Sequence, residues 1–157
     1  MNLASEVLDL AKGRGVMVAT AESCTGGMVA AALTDVAGSS AVVERGFVTY
    51  TNRAKIELLG VRAETLDTHG AVSEEVAAEM ARGALAHAPV QLAVAITGIA
   101  GPGGSEFKPE GRVCFGIADG SGVETETVEF GAIGRANVRA EARDHALQML
   151  RDALVSG

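Results

Sequence analysis

The sequence is poor in the residues that metal sites, disulfide scaffolds and nucleic-acid interfaces require. Among its 157 residues are two cysteines, three histidines and no tryptophan, and the net charge is −7. Because His69, His87 and His145 are scattered without metal-ligand spacing, we expect no metal. The absence of any basic block argues against nucleic acid as the main partner, although local donors can still bind a small anion.

Long apolar runs and a secretory signal are also missing. No apolar run approaches the ~20 residues of a membrane span, and Glu6 and Asp9 stand where a signal peptide would carry basic and then apolar residues. Cys24 and Cys114 lie in different motifs, which favours free thiols over a disulfide. We therefore expect a cytoplasmic protein without membrane contact. The 48% of apolar residues predicts one folded domain over residues 1–157.

The order of helical and strand patterns predicts a three-layer α/β/α sandwich. Alternation of helices with the first three strands favours a parallel core covered on both faces, and Gly120-Ser121-Gly122 indicates a hairpin with one antiparallel strand. The result is a mixed, mostly parallel sheet of about five strands. The predicted helices span residues 3–12, 26–36, 53–59, 74–87 and 135–154, and the predicted strands span residues 16–20, 42–50, 91–97, 112–119 and 123–130.

Three stretches rich in glycine or hydroxyl groups follow the first three predicted strands. They are Thr20 to Gly27, Tyr50 to Lys55 and Gly98 to Gly104. In open α/β sheets, ligands bind beyond the carboxyl ends of the strands. The sequence therefore predicts that these three stretches converge on one site.

Several motifs in a fixed order resemble those of the CinA C-terminal domain family. The resemblance covers roughly residues 3 to 150 and implies the stand-alone form of the family, whose characterised activity is nicotinamide mononucleotide amidohydrolase. It implies hydrolysis of the carboxamide of nicotinamide mononucleotide (NMN) in pyridine nucleotide salvage, without a cofactor. The motifs lie at Thr20 to Gly27, Gly38 to Ala41, Glu44 to Asn52, Ala54-Lys55, His69 to Ser73 and Thr97 to Pro102.

Amide hydrolysis without a metal needs a nucleophile, a base and donors for the oxyanion. Lys55 is a candidate base, because partial burial near a helix amino terminus would lower its pKa. The family resemblance implies a Ser/Lys dyad and matches Ser23 to its nucleophile. Cys24 is the rival nucleophile, with a buried, inert thiol as the favoured interpretation. Tyr50 could bond the dyad or the substrate, or cap a strand.

The candidate substrate-binding residues come from the same stretches and their neighbours. They are Glu22, Thr25, Gly26, Gly27, Ser39, Ser40, Thr97, Gly98, Gly101 and Arg135. Glu22 either orients a lysine or ribose hydroxyls or forms a structural ion pair, and Thr25 is otherwise a helix cap. Backbone N–H groups near Gly26 or Gly98 are candidate donors for an oxyanion or a phosphate.

Two further features of the candidate site stay open. Thr97 departs from the serine that is common at this position in the family, although it keeps a hydroxyl. Arg135 and Arg139 lie one helical turn apart and could grip a phosphate, from a neighbouring subunit if the protein is the homo-oligomer that we expect. Pairing with a glutamate such as Glu141 is the alternative. Two other functions also remain open: a nucleotide-binding regulatory module without turnover, linked to competence or damage, and an enzyme acting on another small amide.

Overall fold

The computed structural model describes residues 2–156, which form six α-helices and five strands in that range. The strands are β1 (Val18–Glu22), β2 (Val43–Val48), β3 (Leu92–Gly98), β4 (Arg112–Asp119) and β5 (Gly122–Glu129). The helices are α1 (Leu3–Arg14), α2 (Met28–Thr34), α3 (Asn52–Leu59), α4 (Ala63–His69), α5 (Glu74–Ala86) and α6 (Arg135–Ser156). A short 3-10 turn, Ser39–Ala41, precedes β2.

Polar caps decide where several helices begin. Ser73 accepts a hydrogen bond from the Val76 N–H at 3.2 Å, and this predicted cap starts α5. Asn52 directly precedes the predicted helix over residues 53–59 and could cap it, but the hydroxyl of Thr51 takes that role by accepting from the Ala54 N–H at 3.0 Å. Asn52 is instead the first helical residue. Lys55 lies in the first turn of α3 and is buried.

The five strands form one mixed sheet in the order β2-β1-β3-β4-β5. The strand β1 pairs in parallel with β2 and with β3, whereas β4 is antiparallel to both of its neighbours. Helices α1, α2 and α6 cover one face of the sheet, and α3, α4 and α5 cover the other. The predicted α/β fold with a mixed sheet of about five strands is confirmed.

The central strands are buried along their whole length, as expected for strands covered on both faces. On one face Phe115 packs in an apolar cluster with Leu8 and Leu150, and on the other Met80 packs with Leu59. The first strand has the predicted length but is shifted by two residues: it spans Val18–Glu22 instead of residues 16–20. Its last residues are polar but buried, because backbone pairing with β2 and β3 determines the end of the strand rather than apolar character.

None of the helices between residues 2 and 156 combines the length and the apolar character that crossing a bilayer requires. Cys24 and Cys114 are both free and buried. Cys114 lies in β4, where its sulfur is 3.4 Å from the Thr127 hydroxyl on β5. The two cysteines therefore lie on different strands or loops, as their separate motifs predicted.

Candidate active site

The loops that follow β1, β2 and β3 surround a cavity of about 320 Å³ at the carboxyl end of the parallel strands. The predicted convergence of the three stretches is therefore present in the structure. Seven of the candidate residues line this cavity: Ser23, Tyr50, Lys55, Thr97, Gly98, Gly101 and Arg135. The other six do not appear in its lining.

A contact between Ser23 and Lys55 lies in the wall of the cavity. Lys55 Nζ is 3.0 Å from Ser23 Oγ, and the two side chains come from the end of β1 and the first turn of α3. Lys55 is only 1% exposed and Ser23 only 8%. An amine and a hydroxyl at this distance, shielded from water, can exchange a proton directly.

Burial shifts the Lys55 amine towards its neutral form. Burial lowers the pKa of the Lys55 amine, while negative charge on Cys24 or Glu106 acts in the opposite direction. The backbone carbonyl of Thr49 accepts a hydrogen bond from Nζ at 3.0 Å, and that of Tyr50 accepts a longer one at 3.5 Å. A neutral amine has two N–H bonds and one lone pair. With its hydrogens directed at the two carbonyls, its lone pair is left for the Ser23 hydroxyl.

The rival nucleophile, Cys24, lies beside the pair in a different chemical state. Burial raises the pKa of the Cys24 thiol to about 12, outweighing a hydrogen bond from its own backbone and the positive charge of Arg139. A thiol with such a pKa is protonated at neutral pH and is a weak nucleophile. The geometry and the charge state therefore both favour Ser23 over Cys24.

The phenol of Tyr50 does not reach the dyad. Arg135 Nη2 donates a hydrogen bond to the Tyr50 hydroxyl at 2.7 Å, and Arg135 Nη1 donates to the Gly101 carbonyl, also at 2.7 Å. Only the backbone carbonyl of Tyr50 contacts Lys55. The phenol is thus a partner of Arg135 and not of the dyad. Through Arg135, α6 is linked to the loops after β2 and β3.

Glu22 caps a helix instead of facing the cavity. Its carboxylate is fully buried and accepts hydrogen bonds from the Val29 N–H at 2.9 Å and from the Ala30 N–H at 3.1 Å. These N–H groups belong to the first turn of α2, whose preceding residue, Gly27, offers no side chain. Both oxygens of Glu22 are thus occupied by the helix, and its role in substrate binding stays a prediction.

The remaining residues of the first loop shape the turn into α2. Gly26 and Gly27 have φ values of 56° and 106°, which glycine adopts without strain. The Gly26 N–H donates to the Ser23 carbonyl at 3.0 Å, so this N–H is not available to an oxyanion. Thr25 is fully buried. None of these three residues lines the cavity, and their role in substrate binding stays a prediction.

Ser39 and Ser40 lie on the opposite side of the molecule from the dyad. They form the 3-10 turn just before β2, at the amino-terminal edge of the sheet. The dyad lies at the carboxyl-terminal edge, and the length of a strand separates the two. They do not line the cavity, and their contact with the substrate stays a prediction.

Thr97 lines the cavity, but its hydroxyl is engaged by the protein. It donates a hydrogen bond to the Ala71 carbonyl at 2.8 Å and so ties the end of β3 to the segment between α4 and α5. A serine could make the same bond. Threonine in place of the family's serine therefore preserves the hydrogen bond to the Ala71 carbonyl.

Sequence reasoning missed the true position of Arg139. Its Nε donates to the Cys24 carbonyl at 3.0 Å, and its Nη2 donates to the Thr25 carbonyl at 3.4 Å. The side chain thus holds the loop that carries Ser23 from a helix 115 residues away along the chain. The one-turn spacing of Arg135 and Arg139 on α6 did not indicate this contact.

Two further residues of the lining, Asn52 and Glu106, were not predicted. Asn52 was interpreted only as a helix cap, and Glu106 lies in a loop without any periodic pattern. Between residues 2 and 156 there is no group of three or more His, Cys, Asp or Glu side chains that could hold a metal ion.

The sequence matches the family model described as "CinA C-terminal domain" over residues 1–154. It is 54% identical to the nicotinamide-nucleotide amidohydrolase PncC of Escherichia coli K12, over 96% of this chain and 92% of that protein. It is 55% identical to the CinA-like protein of Chlorobium phaeobacteroides, covering 90% of this chain but only 35% of that longer protein.

Solved structures resemble this chain equally closely. The competence/damage inducible protein CihA from Agrobacterium tumefaciens is 52% identical with a TM-score of 0.93, over 97% of this chain and 93% of that one. The CinA superfamily protein KP700603 from Klebsiella pneumoniae is 40% identical with a TM-score of 0.94, over 99% of this chain and 97% of that one.

Proposed function

Because this chain belongs to the CinA C-terminal domain family, we propose that it hydrolyses the carboxamide of NMN, giving nicotinic acid mononucleotide and ammonia. The identity to PncC, which extends over nearly the whole of both chains, supports this reaction. The structural observation that carries the proposal is the buried 3.0 Å contact between Ser23 and Lys55 in the wall of the cavity.

In the proposed mechanism, Ser23 Oγ attacks the carboxamide carbon while Lys55 Nζ accepts the hydroxyl proton. The tetrahedral intermediate collapses with cleavage of the C–N bond, and the proton on Lys55 passes to the leaving nitrogen to release ammonia. Water then attacks the acyl-serine ester, with Lys55 again accepting a proton, which returns to Ser23 Oγ. The products are the free carboxylate and the original dyad.

The oxyanion of the tetrahedral intermediate requires backbone donors close to Ser23. The Ser23 N–H is not available, because it donates to the Ile96 carbonyl at 2.9 Å. We propose that the donors come from the glycine-rich segment after β3, near Gly98, because the Gly26 N–H donates to the Ser23 carbonyl and the Cys24 backbone bonds its own thiol. Arg139 holds the loop that carries Ser23 through the carbonyls of Cys24 and Thr25.

The mouth of the cavity offers Arg135 to the phosphate of the nucleotide. Its guanidinium already bridges Tyr50 and Gly101, and a planar guanidinium suits a phosphate better than an ammonium does. We propose that Arg135 and the glycine-rich segment from Gly98 to Gly101 contact the ribose phosphate. Tyr50 positions Arg135 for this contact.

We place the reaction in pyridine nucleotide salvage in the cytoplasm, where two buried free thiols persist. We treat residues 1–157 as one catalytic domain that acts without a metal or cofactor. We further propose a homo-oligomer, although Arg135 and Arg139 complete the site within a single chain.

Ammonia release from NMN tests the proposal directly. The protein is mixed with NMN in the presence of a chelator, and ammonia and nicotinic acid mononucleotide are measured in equal amounts. Nicotinamide riboside, which lacks the phosphate, should react with a higher KM. Binding of NMN without any release of ammonia would instead identify a nucleotide-binding module. Loss of activity with the chelator, restored by a divalent ion, would contradict the dyad mechanism.

A further inference from the structure

Three charged side chains line the cavity, and only one of them is acidic. Lys55 lies in the wall, and Arg135 and Glu106 lie toward the mouth. In the proposed reaction neither Lys55 nor Arg135 can attract a positively charged ring. Glu106 has no part in the mechanism above.

The turn that carries Glu106 has an unusual backbone. Ser105 and Lys108 exchange backbone hydrogen bonds at 3.0 and 2.8 Å, and the two residues between them have left-handed φ values of 52° at Glu106 and 63° at Phe107. Glycine or asparagine is the usual choice at such positions. Left-handed backbone at non-glycine residues is costly and is concentrated at functional sites.

The surroundings of this turn hold the Glu106 carboxylate against the cavity wall. The ammonium of Lys108 donates to the carbonyls of His69 and Val72, both at 2.6 Å, and so anchors the turn to the segment after α4. The carboxylate lies directly against Gly70, where a Cβ would collide with it. The missing side chain at position 70 therefore leaves the space that the carboxylate occupies.

The carboxylate of Glu106 forms no direct ion pair, although the Lys108 ammonium lies on the same side, beside Gly70. Among the ion pairs of residues 2–156, none joins its carboxylate to a basic side chain. Its field reaches the interior of the cavity, since it raises the pKa of Lys55 against the effect of burial. A negative charge at this position favours the protonated form of Lys55, which cannot act as a base. A role of Glu106 in substrate binding would offset this effect.

We infer that Glu106 is the counter-ion of the pyridinium ring of the substrate and makes the enzyme prefer the cationic nucleotide over its neutral, reduced form. This inference rests on the proposed function. NMN carries a permanent positive charge on its ring nitrogen, close to the carboxamide. Without Glu106, the charged side chains lining the cavity would all be basic and would repel that ring. The 1,4-dihydro form of NMN has nearly the same shape and the same carboxamide but no ring charge.

The test compares these two ligands on four proteins: the wild type, Glu106→Gln, Glu106→Lys and the control Glu57→Gln. Glu57 is an exposed carboxylate on α3 that pairs with Arg53 and lies away from the cavity. For Glu106→Gln, we expect the KM for NMN to rise about threefold to fivefold, as for the loss of one partly solvated charge pair. The inhibition constant of the reduced nucleotide should stay unchanged. Glu106→Lys should raise the KM further, and the effect should weaken with added salt.

Calorimetric binding of both ligands to the same proteins separates the inference from the proposed function. If the wild type releases no ammonia from NMN, the proposed function is wrong, and the two dissociation constants still decide the role of Glu106. Equal changes for the two ligands, or no change for either, would overturn the assignment of Glu106 as a counter-ion. A change of the same size in Glu57→Gln would do so as well.

Discussion

The loop after β1 and the loop after β3 both border the cavity, but they are held in opposite ways. The first is buried and is fixed from three sides, by the Ile96 carbonyl, by Arg139 on α6 and by the carboxylate of Glu22 beneath α2. The second is exposed for most of its length, and Phe107 at its tip is fully open to solvent. It is held mainly by long side chains: Lys108 donates to the His69 and Val72 carbonyls, Arg135 donates to the Gly101 carbonyl, and Glu110 accepts from the Gly103 N–H.

The difference assigns separate tasks to the two loops. A nucleophile must stay within a fraction of an ångström of its base, so the loop that carries it has to be rigid. A loop that selects the substrate needs its charges at the surface, where they can attract a ligand. Changes in the first loop should therefore lower kcat, whereas changes in the second should raise KM.

The largest effect is expected from Ser23→Ala. It removes the proposed nucleophile and should lower kcat by about four powers of ten or more, with little change in substrate affinity. Steady-state ammonia release and calorimetric binding measure the two quantities. Cys24→Ala is the matched control and should keep most of the activity. Activity in Ser23→Ala together with its loss in Cys24→Ala would assign the nucleophile to the thiol.

Lys55→Arg should be nearly as inactive as Lys55→Ala. Arginine keeps the positive charge, but a guanidinium does not release its proton, so it cannot act as a base. In the wild type, burial lowers the pKa of Lys55. Below that pKa the amine is protonated and inactive, and above it the amine is free. The value of kcat/KM should therefore rise with pH along a limb whose apparent pKa lies below the ordinary lysine pKa of about 10.4.

The same pH profile also shows which result would contradict the role of Lys55 as the base. A rising limb that persists unchanged in Lys55→Arg would show that another group accepts the proton. Substantial activity of Lys55→Arg would mean that Lys55 acts through its charge alone.

Arg139→Ala should have an intermediate effect. It releases the carbonyls of Cys24 and Thr25 and so loosens the loop of the nucleophile. We expect kcat to fall about tenfold at nearly constant KM, because a small displacement of Ser23 weakens the attack. Arg151→Ala on the same helix, an exposed arginine far from the cavity, is the control. A rise in KM alone would indicate that Arg139 binds substrate instead.

The smallest effect is expected from Glu110→Ala, which loosens the second loop. Glu110 accepts a hydrogen bond from the Gly103 N–H and packs against Gly101. Its removal should raise the KM for NMN about twofold to threefold, as expected for the loss of one exposed hydrogen bond, and leave kcat unchanged. Glu124→Ala at the far edge strand is the control. A fall in kcat as large as that of Arg139→Ala would remove the distinction between the two loops.

The fold followed from the sequence because its signals are local. Apolar periodicity and glycine stops located the helices, and a glycine-rich hairpin located the antiparallel pair. The order of the strands placed Ser23 and Lys55 at the same edge of the sheet. These predictions need only neighbouring residues and the rule that ligands bind beyond the carboxyl ends of parallel strands.

The direction of individual side chains did not follow from the sequence. Glu22 and Tyr50 lie next to the dyad in the chain, yet one caps a helix and the other contacts Arg135, 85 residues away. Arg139 reaches the first loop across a similar separation. Contacts of this kind depend on how α6 packs against the sheet, and no short motif encodes that packing. The position of Ser39 and Ser40 at the edge away from the dyad did not follow from the sequence, because glycine and serine turns occur at both edges of a sheet.

The helix cap formed by Glu22 has a consequence for motif searches. A strand followed by a Gly-Gly turn and a helix is the pattern by which phosphate-binding loops are recognised. Here the first turn of α2 already holds an internal anion, because the last residue of the strand supplies a carboxylate to the N–H groups that a phosphate would use. The turn therefore has the sequence pattern of a nucleotide-binding loop, but the carboxylate of Glu22 would repel a phosphate there. An acidic residue at the strand end, seven positions before the capped N–H, is a sequence filter that separates the two classes.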